Sequence, residues 1–78
     1  METTFTISLD SIAQVNAFAS MIAHFKSEID LSSGRYIVNA KSIMGIFSLD
    51  LTRPLTLTVH GDEELEEIKS AVTPYLKK

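Results

Sequence analysis

Ser42 is the residue of this chain best placed to do chemistry. It stands directly before Ile43-Met44-Gly45-Ile46-Phe47, at the position of an N-cap serine opening a short helix. A phosphate on that hydroxyl adds about −1.5 to −2 charge where free backbone N–H groups and the helix dipole stabilise an anion. The change would be local, a new charged surface without refolding. The ordinary alternative is a plain capping serine, worth about 1 kcal/mol. Ile43, Met44 and Phe47 lie three and four residues apart and share a face of the same helix. They either pack into the core or dock a partner, with Met as the adaptable element.

Other reactive side chains are less well arranged. His24 falls near the end of a helical pattern and reads as a C-terminal histidine interacting with the dipole. His60 falls on the polar face of a strand pattern and reads as solvated. Asp62, Glu63, Glu64, Glu66 and Glu67 hold five of the ten acids, but their spacing spreads them around an exposed arc with Lys69 nearby, as on a solvated face. Ser11 has no paired histidine and base, so it is a cap and not a nucleophile. The chain has no cysteine, which excludes a disulfide scaffold, a thiolate metal site and a Cys nucleophile. With two histidines and no glycine-rich phosphate loop, no metal, cofactor or enzyme activity is expected.

The elements that must position Ser42 follow from periodicity. Phe5, Ile7 and Leu9 alternate with polar residues over 4–9, predicting a strand. Ser11 with Gln14 three residues on is a capping-box pair. Ile12, Val15, Phe18, Ala19, Ile22 and Phe25 then mark the apolar face of a helix over 11–25. A short strand over 28–31, a Ser32-Ser33-Gly34 turn and a strand over 35–40 predict a hairpin. The helix over 41–49 carries more apolar residues than one stripe can bury, so some should be exposed. Leu55, Leu57 and Val59 predict a further strand with Thr56, Thr58 and His60 facing solvent. Gly61 turns the chain into a last helix, whose first turn is expected to hold Asp62, Glu63 and Glu64 and whose end should interact with Lys77 and Lys78. Pro74 should weaken its final turns.

The chain has 78 residues, 45% of them apolar, and is expected to form a single domain over 1–78. The order β-α-β-β-α-β-α predicts an α+β fold with helices on one face of a mainly antiparallel sheet. Seven Lys and Arg against ten Asp and Glu leave a net charge of −3, and the sequence pI is near 5.2. The cations are scattered, so direct nucleic-acid binding by phosphate neutralisation is not expected. No apolar run approaches the roughly 20 residues that span a bilayer, and Met1-Glu2-Thr3-Thr4 lacks the marks of a signal peptide. The expected location is the cytoplasm.

The run Lys41-Ser42-Ile43-Met44-Gly45-Ile46-Phe47-Ser48-Leu49 closely resembles the regulatory-serine motif of HPr, the small phosphocarrier of the bacterial sugar phosphotransferase system. The spacing agrees from Ile29 through Leu49, including Val38 and Asn39, and Thr4-Phe5-Thr6 and Gly61-Asp62-Glu63 fit as well. The resemblance implies an open-faced β-sandwich with a four-stranded antiparallel sheet. It also implies a phosphoacceptor His followed by Ala, Arg and Pro at the start of the first helix. Here that stretch reads Leu9-Asp10-Ser11-Ile12-Ala13-Gln14-Val15. The His position falls on Ser11 or is lost in a shortened loop, and Asp10 would repel an incoming phosphoryl anion.

What the resemblance leaves is the regulatory half of the family. It implies an ATP-dependent HPr kinase that modifies Ser42, and a LacI-type catabolite control repressor that docks on Lys41, Ile43, Met44 and Phe47. Two departures stand beside it. The Arg that assists repressor contact is missing with the His, and Asp50 occupies the family's glycine position. Two other functions stay open: a carrier that uses an atypical residue, and an adaptor that is never phosphorylated and keeps Ser42 as a cap.

Overall fold

The computed structural model describes residues 2–76. In chain order the elements are β1 (Glu2–Ile7), α1 (Ile12–Ile22), β2 (Glu28–Ser33), β3 (Tyr36–Asn39), α2 (Ile43–Phe47), β4 (Leu55–His60) and α3 (Leu65–Val72), followed by a 3-10 turn over Thr73–Tyr75. The four strands form one antiparallel sheet in the order β1-β4-β2-β3. This is the open-faced α+β architecture that the sequence predicts.

Alternation makes the two faces of the sheet chemically unlike. Ile7, Ile29, Leu31, Leu55, Leu57 and Val59 are buried and meet Val15, Phe18 and Ile22 of α1, Ile46 of α2, and Ile68 and Val72 of α3. Leu57 is the centre of this layer, paired with Phe5 on one side and Leu31 on the other. Truncating such a residue to Ala costs about 2–5 kcal/mol. The other face carries Thr4, Thr6, Thr56, Thr58, Asp30 and Ser32, exposed or half-buried.

Several boundaries differ from expectation. β1 runs from Glu2 to Ile7, and Leu9 is buried beyond its end. Helix α1 stops at Ile22, where His24 N–H donates to the Met21 carbonyl and Phe25 N–H to that of Ile22, tightening the last turn. β2 extends to Ser33, and the hairpin turns on Gly34-Arg35. Gly34 has φ +60° while Arg35 keeps a negative φ, the pattern of a type II′ turn, whose twist matches the flanking strands.

Ile12 is expected in the core but is 70% exposed; burial on α1 begins at Val15. Asp62, Glu63 and Glu64 precede α3 rather than filling its first turn, which holds Glu66 and Glu67. The reason is that Glu64 is committed elsewhere. Its Oε1 accepts the backbone N–H groups of Lys26 and Ser27, each at 2.8 Å, and the Ser27 hydroxyl at 2.9 Å. Pro74 does shorten the last helix, converting its end to the 3-10 turn, and the Tyr75 ring meets Phe18 edge-on at 5.4 Å. Lys77 and Lys78 lie outside the described residues.

Candidate functional site

Ser42 is held by its neighbours on both sides. Its N–H donates to the Asn39 carbonyl at 3.0 Å, so β3 delivers it directly to the start of α2. Its backbone is extended, with φ −98° and ψ 110°, and its Oγ accepts the Gly45 N–H at 3.0 Å. This is N-cap geometry, one orphan amide of the helix start satisfied by a side-chain oxygen. The residue remains exposed, so the hydroxyl is accessible while it caps. Glycine at 45 suits a close approach, since a Cβ there would lie 3.1 Å from Val38 Cβ and 3.2 Å from Ser42 Oγ, tight enough that these neighbours would have to give way.

Helix α2 divides its apolar residues as its short length demands. Ile46 is fully buried, whereas Met44 is 83% exposed and Ile43 and Phe47 are 40% and 41% exposed. Ile43, Met44 and Phe47 thus stand together on the outer side of α2. Lys41 is half-buried, and its Nζ donates to the Phe25 carbonyl at 2.6 Å. That bond ties the entrance of α2 to the connection that follows α1.

At the start of α1 the expected Ser11–Gln14 pair forms, with its return bond shifted by one residue from the N-cap amide to that of Asp10. Ser11 Oγ accepts the Gln14 N–H at 3.1 Å, and Gln14 Oε1 accepts the Asp10 N–H at 2.8 Å. Asp10, Ser11 and Ile12 line a cleft of about 320 Å³ together with Phe47, Leu51 and Thr52. The structure therefore brings Ser11 and Phe47 to one cleft, with Ser42 outside its lining. Ile12 is the member that sequence reasoning missed. Its spacing to Val15 fits the core stripe equally well, and its place in the first turn was the signal available. Asp50 binds the N–H and hydroxyl of Thr52. These bonds, with Arg53 at 3.6 Å, hold its carboxyl below the usual carboxylate range.

Neither histidine approaches this cleft's lining. His24 is exposed just beyond α1. His60 is half-buried on the open face of the sheet, where its Nε2 lies 2.7 Å from Asp30 Oδ2. This corrects the expectation of a solvated His60. The partner is thirty residues away and is supplied by β2, which lies beside β4. The acidic run is corrected likewise at Glu64, whose carboxyl is held below the ordinary range chiefly by the hydrogen bond from the Ser27 backbone. No cluster suited to a metal ion occurs among the described residues, and none of their helices is long and apolar enough to cross a membrane.

A family model described as "PTS HPr component phosphorylation site" matches residues 12–76. Among solved structures, HPr-C-His from Thermoanaerobacter tengcongensis is 33% identical over 92% of this chain and 86% of its own, with a TM-score of 0.69. A phosphocarrier protein HPr from Bacillus anthracis str. Ames is 28% identical over 99% of this chain and 96% of its own, with a TM-score of 0.70.

Proposed function

The chain belongs to the HPr family of the phosphotransferase system, and we propose that it has given up phosphoryl relay and acts as a regulatory interaction module switched by phosphorylation at Ser42. The observation that carries this reading is the contrast between its two helix starts. At α1 the residue is Ser11, whose Oγ accepts the Gln14 N–H, with Asp10 beside it. An alcohol there lacks the imidazole nitrogen that exchanges phosphate with a phosphohistidine donor, and Asp10 adds repulsion. At α2 an exposed serine caps the helix next to an exposed apolar patch.

In this reading an HPr kinase transfers the γ-phosphoryl group of ATP to Ser42 Oγ, whose proton leaves to the kinase's base. The phosphoserine keeps its cap position and adds charge beside Ile43, Met44 and Phe47. Those three residues and Lys41 form the surface for a LacI-type repressor, giving a catabolite-repression corepressor in the cytoplasm. The domain, spanning 1–78, is a carrier of signal and not a catalyst, and it uses no cofactor or metal.

The test is an intact-mass measurement after two reactions, one with enzyme I and phosphoenolpyruvate, the other with HPr kinase and ATP. The reading expects one phosphate in the second alone, absent in Ser42→Ala. A phosphate in the first restores the carrier, and none in either leaves an adaptor.

A further inference from the structure

Among the described residues, only one of the sheet's two edges is partly covered by the chain itself. Along β1, Leu76 forms an antiparallel bridge to Ile7, and Ser8 N–H donates to the Tyr75 carbonyl at 2.8 Å. The C-terminal segment thus occupies one end of that edge. Along β3 the outer side is open. Ser33 and Tyr36 close the two-residue hairpin, so Tyr36 and Val38 turn their amide groups inward to β2, and Ala40 N–H continues the ladder to Ile29 at 2.9 Å. The alternation then points the N–H and carbonyl of Ile37 and the N–H of Asn39 outward. Tyr36 and Ile37 are 73% and 70% exposed. Charge, proline or a bulge ordinarily blunts such an edge, and Tyr-Ile-Val-Asn contains none of these.

Charge at the start of β3 specifies what fits. Arg35 and Arg53 line one concavity of about 370 Å³ with Tyr36 and Ser33. Asp50 offsets part of this through its 3.6 Å pair with Arg53, leaving two cations against one anion. We propose that β3 is a docking edge for an extended segment of a partner protein, added as a fifth, antiparallel strand whose acidic C-terminal end sits between Arg35 and Arg53. Antiparallel addition engages both outward groups of Ile37 and brings the segment's C-terminal end to the arginines. A second copy is disfavoured because antiparallel pairing of two β3 edges, with Ile37 opposite Asn39, would bring Lys41 and not an acid opposite Arg35. This edge adjoins the Ser42 cap at Asn39, but the proposal does not depend on the function assigned to Ser42.

The test is an amide NMR titration of the full chain with a short acetylated peptide of alternating Thr and Val that ends in Asp-Glu. Shifts are expected at Arg35, Ile37 and Asn39. Binding should weaken about tenfold for the Asn-Gln peptide amide and for Arg35→Glu with Arg53→Glu. Ile37→Pro removes an outward N–H without removing a ladder bond, as edge strands tolerate, and should abolish binding with thermal stability retained. Should that variant misfold, the charge-reversed protein still decides the matter. Met44→Asp should leave the titration unchanged. No β3 shifts at millimolar peptide, or the same shifts with inorganic phosphate alone, would overturn the proposal. So would β3 shifts that grow with protein concentration in the absence of peptide, which would make the occupant a second copy.

Discussion

Ser42 Oγ accepts the Gly45 N–H at 3.0 Å, and a Cβ on Gly45 would stand 3.2 Å from that same oxygen. The two residues define each other's role. The serine holds the first turn of a five-residue helix that has little intrinsic stability, and the glycine leaves the hydroxyl room. A bulkier residue at 45 would crowd Val38 and the Ser42 hydroxyl. The physical requirements of the cap and of the proposed phosphosite therefore converge on one sequence.

Replacing Ser42 separates those requirements. Ser42→Ala should lower stability by about 1 kcal/mol, a drop of roughly 4–8 °C in Tm for a domain of this size, and should abolish kinase labelling. Ser42→Asp keeps a capping oxygen and should recover the Tm without accepting phosphate. Thermal melts and intact-mass spectra of the three proteins check both effects.

Met44→Asp should abolish repressor binding while changing stability by less than about 0.5 kcal/mol, since the side chain is 83% exposed. Ile46→Ala, one turn-face away and fully buried, should cost about 2–5 kcal/mol. Denaturant midpoints and a binding titration with the phosphorylated protein distinguish the two. An equal loss of stability in both would place Met44 in the core.

Lys41 borders the proposed repressor surface and also positions it. Its ammonium donates to the Phe25 carbonyl at 2.6 Å, so Lys41→Met keeps the aliphatic stem and removes the bond. We expect a loss of about 1.5–3 kcal/mol, the range for a hydrogen bond to a charged group. Repressor affinity should fall less than for Met44→Asp. The reverse ranking would make the Lys41 charge the leading contact of that surface.

Glu64 links stability to pH. Its carboxyl receives three hydrogen bonds from the α1–β2 connection, chiefly the Ser27 amide, and titrates below the ordinary range. The folded state thus binds its proton less readily than the unfolded state. That contribution is present above the unfolded pKa and is lost as pH falls through the lower folded pKa. Glu64→Gln should melt below the wild type at neutral pH, and the gap should close on acidification. A gap independent of pH would assign the stabilisation to packing.

The sequence by itself determined what depends on neighbours within a turn or a pleat. The alternation over Leu55–His60, the Ser11 cap on Gln14 and the Ser42 cap all rest on spacings of two to three residues, and each is formed. The surplus of apolar residues on α2 was legible too, because five residues have too little circumference to bury them all. Tertiary structure alone decided the rest. His60 meets Asp30, and Glu64 clasps Ser27, across separations of 30 and 37 residues. Those meetings follow from the strand order β1-β4-β2-β3, which places β2 beside β4 and carries the start of α3 to the α1–β2 connection. Ile12 satisfies the helical period yet faces the cleft beside Phe47. Periodicity reports which side of an element is apolar, and only packing decides which part of that side is covered.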